Sequence, residues 1–227
     1  MIGMYMRFVL TTLLVLWPLI AQGDTGSLFG PVRGGLFDPA PIAEGGTNGA
    51  SLFSASSGGL FAPVSAFPRD AVNHLRALIG AAESPRAGYD AVQHGARIKP
   101  AKPPTQMTLA EILAWIEATP GQPHAIGRYQ FIPATLRRVA TQAGARPNDR
   151  FSPRLQDRLA DVLLVEAGFA AFLAGDLPQK AFMDNLAAIW AGLPSSNGLS
   201  RYHGIAGNRA TVSLAYFQSE IARIAQD

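Results

Sequence analysis

The stretch Leu78-Ile79-Gly80-Ala81-Ala82-Glu83-Ser84, followed by Gly88-Tyr89-Asp90, decides how this chain is read. Apolar residues lead into it at Ala71, Val72, Leu75, Leu78, Ile79 and Ala82, and that spacing of three and four predicts an amphipathic helix. Pro68-Arg69-Asp70 opens the helix, which runs to about Glu83 or Ser84. Glu83 continues the inward-facing series, where a carboxylate is out of place. A desolvated carboxylate costs several kcal/mol or takes up a proton instead. A carboxyl group still protonated near neutral pH is suited to general acid catalysis. Spacing alone leaves a second reading open, in which Glu83 bends out to solvent from the helix end.

Helical signals continue to the C-terminus. Thr108-Leu109-Ala110-Glu111 is a capping box, opening a helix through Ile112, Leu113, Trp115 and Ile116 to about Ala118. Pro133 fits the first turn of a helix reaching about Gln142, with Gly144 at its C′ position. Ser152-Pro153 repeats the cap-then-proline signal and predicts a helix to about Ala167, with Leu155, Leu159, Val162 and Leu163 inward. A shorter turn leads to an apolar helix over 178–193, then a loop over 204–208 and a closing amphipathic helix over 209–225. Between Ser84 and Thr105 the chain is broken by Pro85, Gly88, Gly95, Pro100, Pro103 and Pro104. That segment reads as an irregular loop with short strand pieces between 88 and 100. The fold class is mainly α, all-α or α with a small β flap.

The 227-residue chain is 48% hydrophobic, contains no cysteine and carries a formal charge of +3. Residues 1–23 read as a secretory signal: Arg7, an apolar run from Phe8 to Ala21, then the small–x–small pattern Ala21-Gln22-Gly23. The run is shorter than the roughly 20 residues of a membrane-spanning helix; an uncleaved anchor is the alternative. Without cysteine there is neither a lipobox nor a disulfide, so the core must hold the domain unaided. Residues 24–66 are rich in Gly, Ser, Pro and Ala and read as a flexible linker. The linker contains a duplication. Ser27-Leu28-Phe29, four residues and Gly34-Gly35-Leu36-Phe37 recur 24 residues later as Ser51-Leu52-Phe53, four residues and Gly58-Gly59-Leu60-Phe61. The Leu-Phe pairs either dock on a partner with the benefit of two copies or fold against the domain. Residues 67–227 form one domain with a core of its own.

Several chemistries find no support. His74, His94, His124 and His203 lack metal-ligand spacing, so no metal or other cofactor is expected. No glycine-rich loop follows a strand, and Gly204-Ile205-Ala206-Gly207 is turn chemistry. No nucleophile elbow singles out a serine. The basic residues are scattered and form no nucleic-acid stripe, while a mild positive charge suits an anionic polymer. Tyr89, Tyr129, Gln130, Trp190 and Tyr202 offer flat apolar faces and hydrogen-bonding groups, a mixture that suits a sugar. Taken singly, each aromatic residue reads more readily as core than as ligand-facing.

Several blocks, in order over residues 70–226, resemble the muramidases similar to the phage lambda endolysin, a lysozyme-like family of lytic transglycosylases. Ala82-Glu83-Ser84 with Gly88-Tyr89-Asp90 resembles the block that holds the family's catalytic glutamate. Gly127-Arg128-Tyr129-Gln130 resembles its most recognisable motif. Phe151-Ser152-Pro153 with Gln156-Asp157 resembles the following helix start, and Leu186 to Pro194 the helix and turn before a late tyrosine, here Tyr202. His124 departs from the pattern by standing where the family usually carries a small hydroxyl residue.

The resemblance implies cleavage of the β-1,4 bond between N-acetylmuramic acid and N-acetylglucosamine in peptidoglycan glycan strands. It implies Glu83 as general acid and then base, with closure of the muramyl 6-hydroxyl onto C1 to give a 1,6-anhydro product. Tyr89, Tyr129, Gln130 and Tyr202 would line the sugar cleft. Asp90 reads as a turn residue, and Arg128 either holds its loop by binding backbone carbonyls or touches substrate. Together with the leader, this implies a monomeric periplasmic or secreted wall-remodelling enzyme, with an envelope protein as partner through residues 24–66. Two alternatives stay open: a wall-binding accessory protein without turnover, and a true hydrolase on the same scaffold.

Overall fold

The computed structural model describes residues 67–205 and 207–225. The leader, the linker and its Leu-Phe repeat therefore lie outside the described residues. The described part is mainly helical: α1 (Arg69–Glu83), α2 (Leu109–Ala118), α3 (Pro133–Gln142), α4 (Pro153–Glu166), α5 (Phe169–Leu173), α6 (Gln179–Ile189) and α7 (Leu214–Ile224). None of these helices is long and apolar enough to cross a membrane.

Local chemistry sets most of the boundaries. At α2 the Thr108 hydroxyl accepts from the Glu111 N–H, and the Glu111 carboxylate accepts from the Thr108 N–H. Ser152 caps α4 by accepting from the Leu155 N–H, and Ser213 caps α7 through the Tyr216 N–H. Each such cap is worth about 1 kcal/mol. Proline opens α3 and α4, where a missing N–H costs nothing.

Two helices are shorter than their sequence pattern. The 178–193 helix stops at Ile189, because Trp190 turns to an extended conformation and the chain bends back toward α1. The closing helix begins at Leu214 rather than at 209, since Thr211 is held away by the end of α1. Of the two alternatives, all-α and α with a small β flap, the first describes these residues. Residues 88–106 contain two short 3-10 turns (Gly88–Asp90 and Pro104–Gln106) and only single-residue bridges, such as Val92 with Ile126. Pro100, Pro103 and Pro104 remove the donors a ladder would need.

The core is one cluster. α1 packs on α7, α3 on α4, and α4, α5, α6 and α7 follow one another in contact. Phe172, Phe182 and Phe169 stack at the α5–α6 junction, with ring centroids 4.5 and 5.9 Å apart. Leu75, Ile79, Ile112, Leu159, Leu186 and Phe217 are fully buried at its centre. His74 and Glu220 tie α1 to α7, and Arg223 adds a second partner to Glu220. This packing fixes the axis of α1, and the C-terminus of α1 carries the candidate site.

Candidate active site

Glu83 is the last residue of α1 and is half-buried. Its Oε1 accepts a hydrogen bond from the Gly192 N–H at 2.8 Å. Burial pushes the carboxyl up to about 7, and the Gly192 bond opposes this only in part. Among the described residues no charged side chain acts on it. Desolvation without a paired cation keeps a carboxylic acid protonated near neutral pH.

The contact requires glycine at 192. A Cβ there would lie 2.6 Å from the Ala82 carbonyl oxygen and 3.1 Å from Glu83 Oε1. The turn after α6 approaches the end of α1 with its backbone, and only a residue without a side chain allows it. Thr211 secures the same corner. Its hydroxyl donates to the Ala82 carbonyl at 2.6 Å, and its N–H donates to the Gly192 carbonyl at 2.9 Å. Two orphan carbonyls, one of them at a helix C-terminus, are thus satisfied by one residue.

On another side of the helix end sits the turn Gly127–Gln130, closed by paired Ile126 and Phe131. Ser84 holds it by donating from Oγ to the Arg128 carbonyl at 2.8 Å. Gly127 has φ +76°, and a Cβ there would meet Phe151 at 2.8 Å as well as the Gln156 side chain. Gln130 has φ +46°, the one such non-glycine among the described residues. Its side-chain Nε2 donates to the Gly127 carbonyl at 2.9 Å, stabilising a conformation that costs about 1 kcal/mol for an L-residue.

Gln156 and Asp157, at the start of α4, support this turn from below. Gln156 is fully buried; its Oε1 accepts from the Arg128 N–H, and its Nε2 donates to the Tyr89 and Phe151 carbonyls. Asp157 Oδ1 accepts from both the Tyr89 hydroxyl (2.8 Å) and the Tyr129 hydroxyl (2.6 Å). Burial, reinforced by Asp157, pushes both phenols above their usual range, so they serve as donors and not as acids. Behind them Arg76 grips Asp161 through two hydrogen bonds.

These positions revise the expected cleft. Tyr129 is 1% exposed, packed edge-on against Phe131, and belongs to the core. Its hydroxyl has a partner on α4 that draws the ring inward, so it presents no face to a ligand. Tyr89 is half-buried, but its hydroxyl is committed to Asp157 and the Arg128 guanidinium lies over its ring, 5.0 Å from the centroid. Tyr202 is half-buried and donates its hydroxyl to the Ala188 carbonyl at 2.5 Å. Trp190 is buried. Asp90 accepts from the Thr105 N–H and holds the loop. His124 is buried, bonded to Thr119 and packed against Trp115.

What remains is a desolvated carboxyl at a helix end, bonded to the turn at 190–194, while Thr211 and, through Ser84, the turn at 127–130 hold the same end of α1. Gly192, Thr211 and Gln156 lack any local signal, because what makes them matter is a contact far along the chain. Comparison with family models, with curated proteins and with solved structures found no match.

Proposed function

We propose that the chain is an exported peptidoglycan lytic transglycosylase with Glu83 as its one general acid and base. The observation that carries this reading is the carboxyl of Glu83: half-buried, bonded to the Gly192 N–H, acted on by no charged side chain among the described residues and raised to about 7. Near pH 7 both of its forms are populated, which suits a group that must give and then take a proton. The sequence blocks around Glu83 and Gly127–Gln130 supply the substrate class.

In the proposed reaction, Glu83 protonates the oxygen that links the muramyl C1 to the next sugar, and the C1–O bond breaks. Positive charge develops on C1 and the ring oxygen. The muramyl 6-hydroxyl then bonds to C1 while its proton passes to the Glu83 carboxylate, which regenerates the acid. No water is consumed, and one carboxylate suffices where glycosidases of the usual kind need two at a set separation. Gln130, half-buried and with a left-handed backbone in the turn that Ser84 holds at the end of α1, is proposed to contact the sugar.

Replacing Glu83 by Gln keeps the shape and the Gly192 bond but removes the proton. Turnover of purified sacculi should fall by about two to four orders of magnitude while sacculus binding persists. Turnover by Glu83→Gln within a few-fold of the parent would refute the assignment.

A further inference from the structure

A depression of about 260 Å³ opens along the last turns of α1, with Gly80 and Ser84 in its wall and Arg86 and Arg128 at its sides. Ser84 follows Glu83 directly in the chain. Arg128 is half-buried and held in place: its guanidinium lies against Gly80, where any Cβ would collide with it, and over the Tyr89 ring. The backbone of Arg128 is fixed on both sides, by Ser84 at its carbonyl and Gln156 at its N–H. Yet among the described residues the guanidinium has no carboxylate partner and donates to no backbone carbonyl. Arg86 has no acidic partner there either, and no acidic residue lines the depression. Apart from the Tyr89 side chain it lies over, the rigid Arg128 fork of five donors has no carboxylate or carbonyl partner among the described residues, and it matches a planar carboxylate from outside the chain.

We propose that Arg128 and Arg86 form a subsite for a carboxylate of the muramyl peptide stem, at the same end of α1 as the proposed acid Glu83. The proposal rests on the function proposed above for the identity of the ligand, since the stem carboxylates come attached to the sugar that Glu83 would act on. It extends that function to substrate choice: strands that carry free stem carboxylates would bind in preference to stripped or amidated ones. The rise of Glu83 comes from burial, opposed by the Gly192 bond, so the subsite is assigned to binding and not to the acid.

The test is binding of a soluble N-acetylglucosaminyl-N-acetylmuramyl tripeptide, which lacks the scissile bond, to the purified full chain by calorimetry. The same compound with its carboxylates converted to carboxamides is the control. The parent should bind the carboxylate form about tenfold more tightly, and the preference should shrink as salt is raised. Arg128→Gln should abolish the preference, Arg86→Gln should reduce it, and Arg128→Lys, which keeps the charge and loses the fork, should keep part of it. Equal binding of the two forms by the parent overturns the proposal, and so does an undiminished preference in Arg128→Gln. A loss of thermal stability in Arg128→Gln with the preference intact would instead mark the guanidinium as a structural cation at a helix C-terminus, against the proposal. Should Arg128→Gln fail to fold, the comparison of the two ligands on the parent and on the exposed-site variant Arg86→Gln still decides. Uncut sacculi with a clear carboxylate preference would sink the muramidase reading and keep an anion subsite; cut sacculi with no preference would sink the subsite alone.

Discussion

If Glu83 is as desolvated as its surroundings imply, replacing it with Gln must change the pH dependence of stability in a defined way. The carboxyl rises from 4.5 to about 7 on folding, because burial disfavours its charged form. Folded protein therefore holds this proton more tightly than unfolded protein does. Unfolding releases protons between about pH 4.5 and 7, and stability falls as pH rises through that window. Below it, Glu83 is neutral in both states and glutamine should behave like the parent. Above it, the parent carries a poorly solvated carboxylate, and the cumulative cost is about 3 kcal/mol. Glutamine keeps an oxygen for the Gly192 N–H and never ionises. The stability of Glu83→Gln relative to the parent should thus grow by about 3 kcal/mol between pH 4 and pH 8. With a urea slope of about 2 kcal/mol per molar, the midpoint difference should widen by about 1.5 M. Urea unfolding followed by tryptophan fluorescence at half-unit steps of pH reads this directly, and the other titrations cancel between the two proteins. A difference that stays flat from pH 4 to pH 8 would show an ordinary, solvated carboxyl and remove the physical basis for a general acid at neutral pH.

Gly192→Ala places a methyl group against the Ala82 carbonyl and Glu83 Oε1; it should lower stability by about 1–3 kcal/mol and move the alkaline limb of the activity profile, where the acid is lost by ionisation, upward, because the N–H that opposes the rise of Glu83 is pushed away. An unchanged profile would mean that the bond is not made in solution. Gln156→Ala removes all three hydrogen bonds of a fully buried amide and should cost about 2–4 kcal/mol, measured by thermal or urea unfolding; a cost under about 0.5 kcal/mol would contradict its role as the support of the 127–130 turn. Tyr202→Ala should reduce turnover less than Glu83→Gln does, since its hydroxyl is committed to the Ala188 carbonyl; an equal or larger loss would move the chemistry toward the late loop.

The helical part of this fold was legible wherever local chemistry decides it. The Thr108–Glu111 box, the prolines at 133 and 153 and the positive-φ Gly144 lie where the sequence places them. Glu83 was also legible, because its spacing continues an apolar face that the structure buries against α7. Legibility failed where partners are distant. α6 ends at Ile189 because Gly192 must reach Glu83, a contact between residues 109 apart in the chain. Thr211 leaves the helical pattern of its segment for a carbonyl 129 residues away. Tyr129 looked like a cleft residue because a tyrosine's polar tip is equally at home in water or on a buried acceptor; Asp157 on α4 decides the matter. Arg128 had two readings in the sequence, and its guanidinium meets a ring and a glycine rather than backbone carbonyls.

Digestion of purified sacculi by the parent chain beside Glu83→Gln, with the products weighed by mass spectrometry, tests the central claim most directly. The account predicts anhydro-muropeptides, lighter than hydrolysis products by one water, from the parent alone. Products carrying the added water would keep Glu83 as the acid and contradict the internal closure. Sacculi bound but uncut by the parent would contradict the enzyme itself.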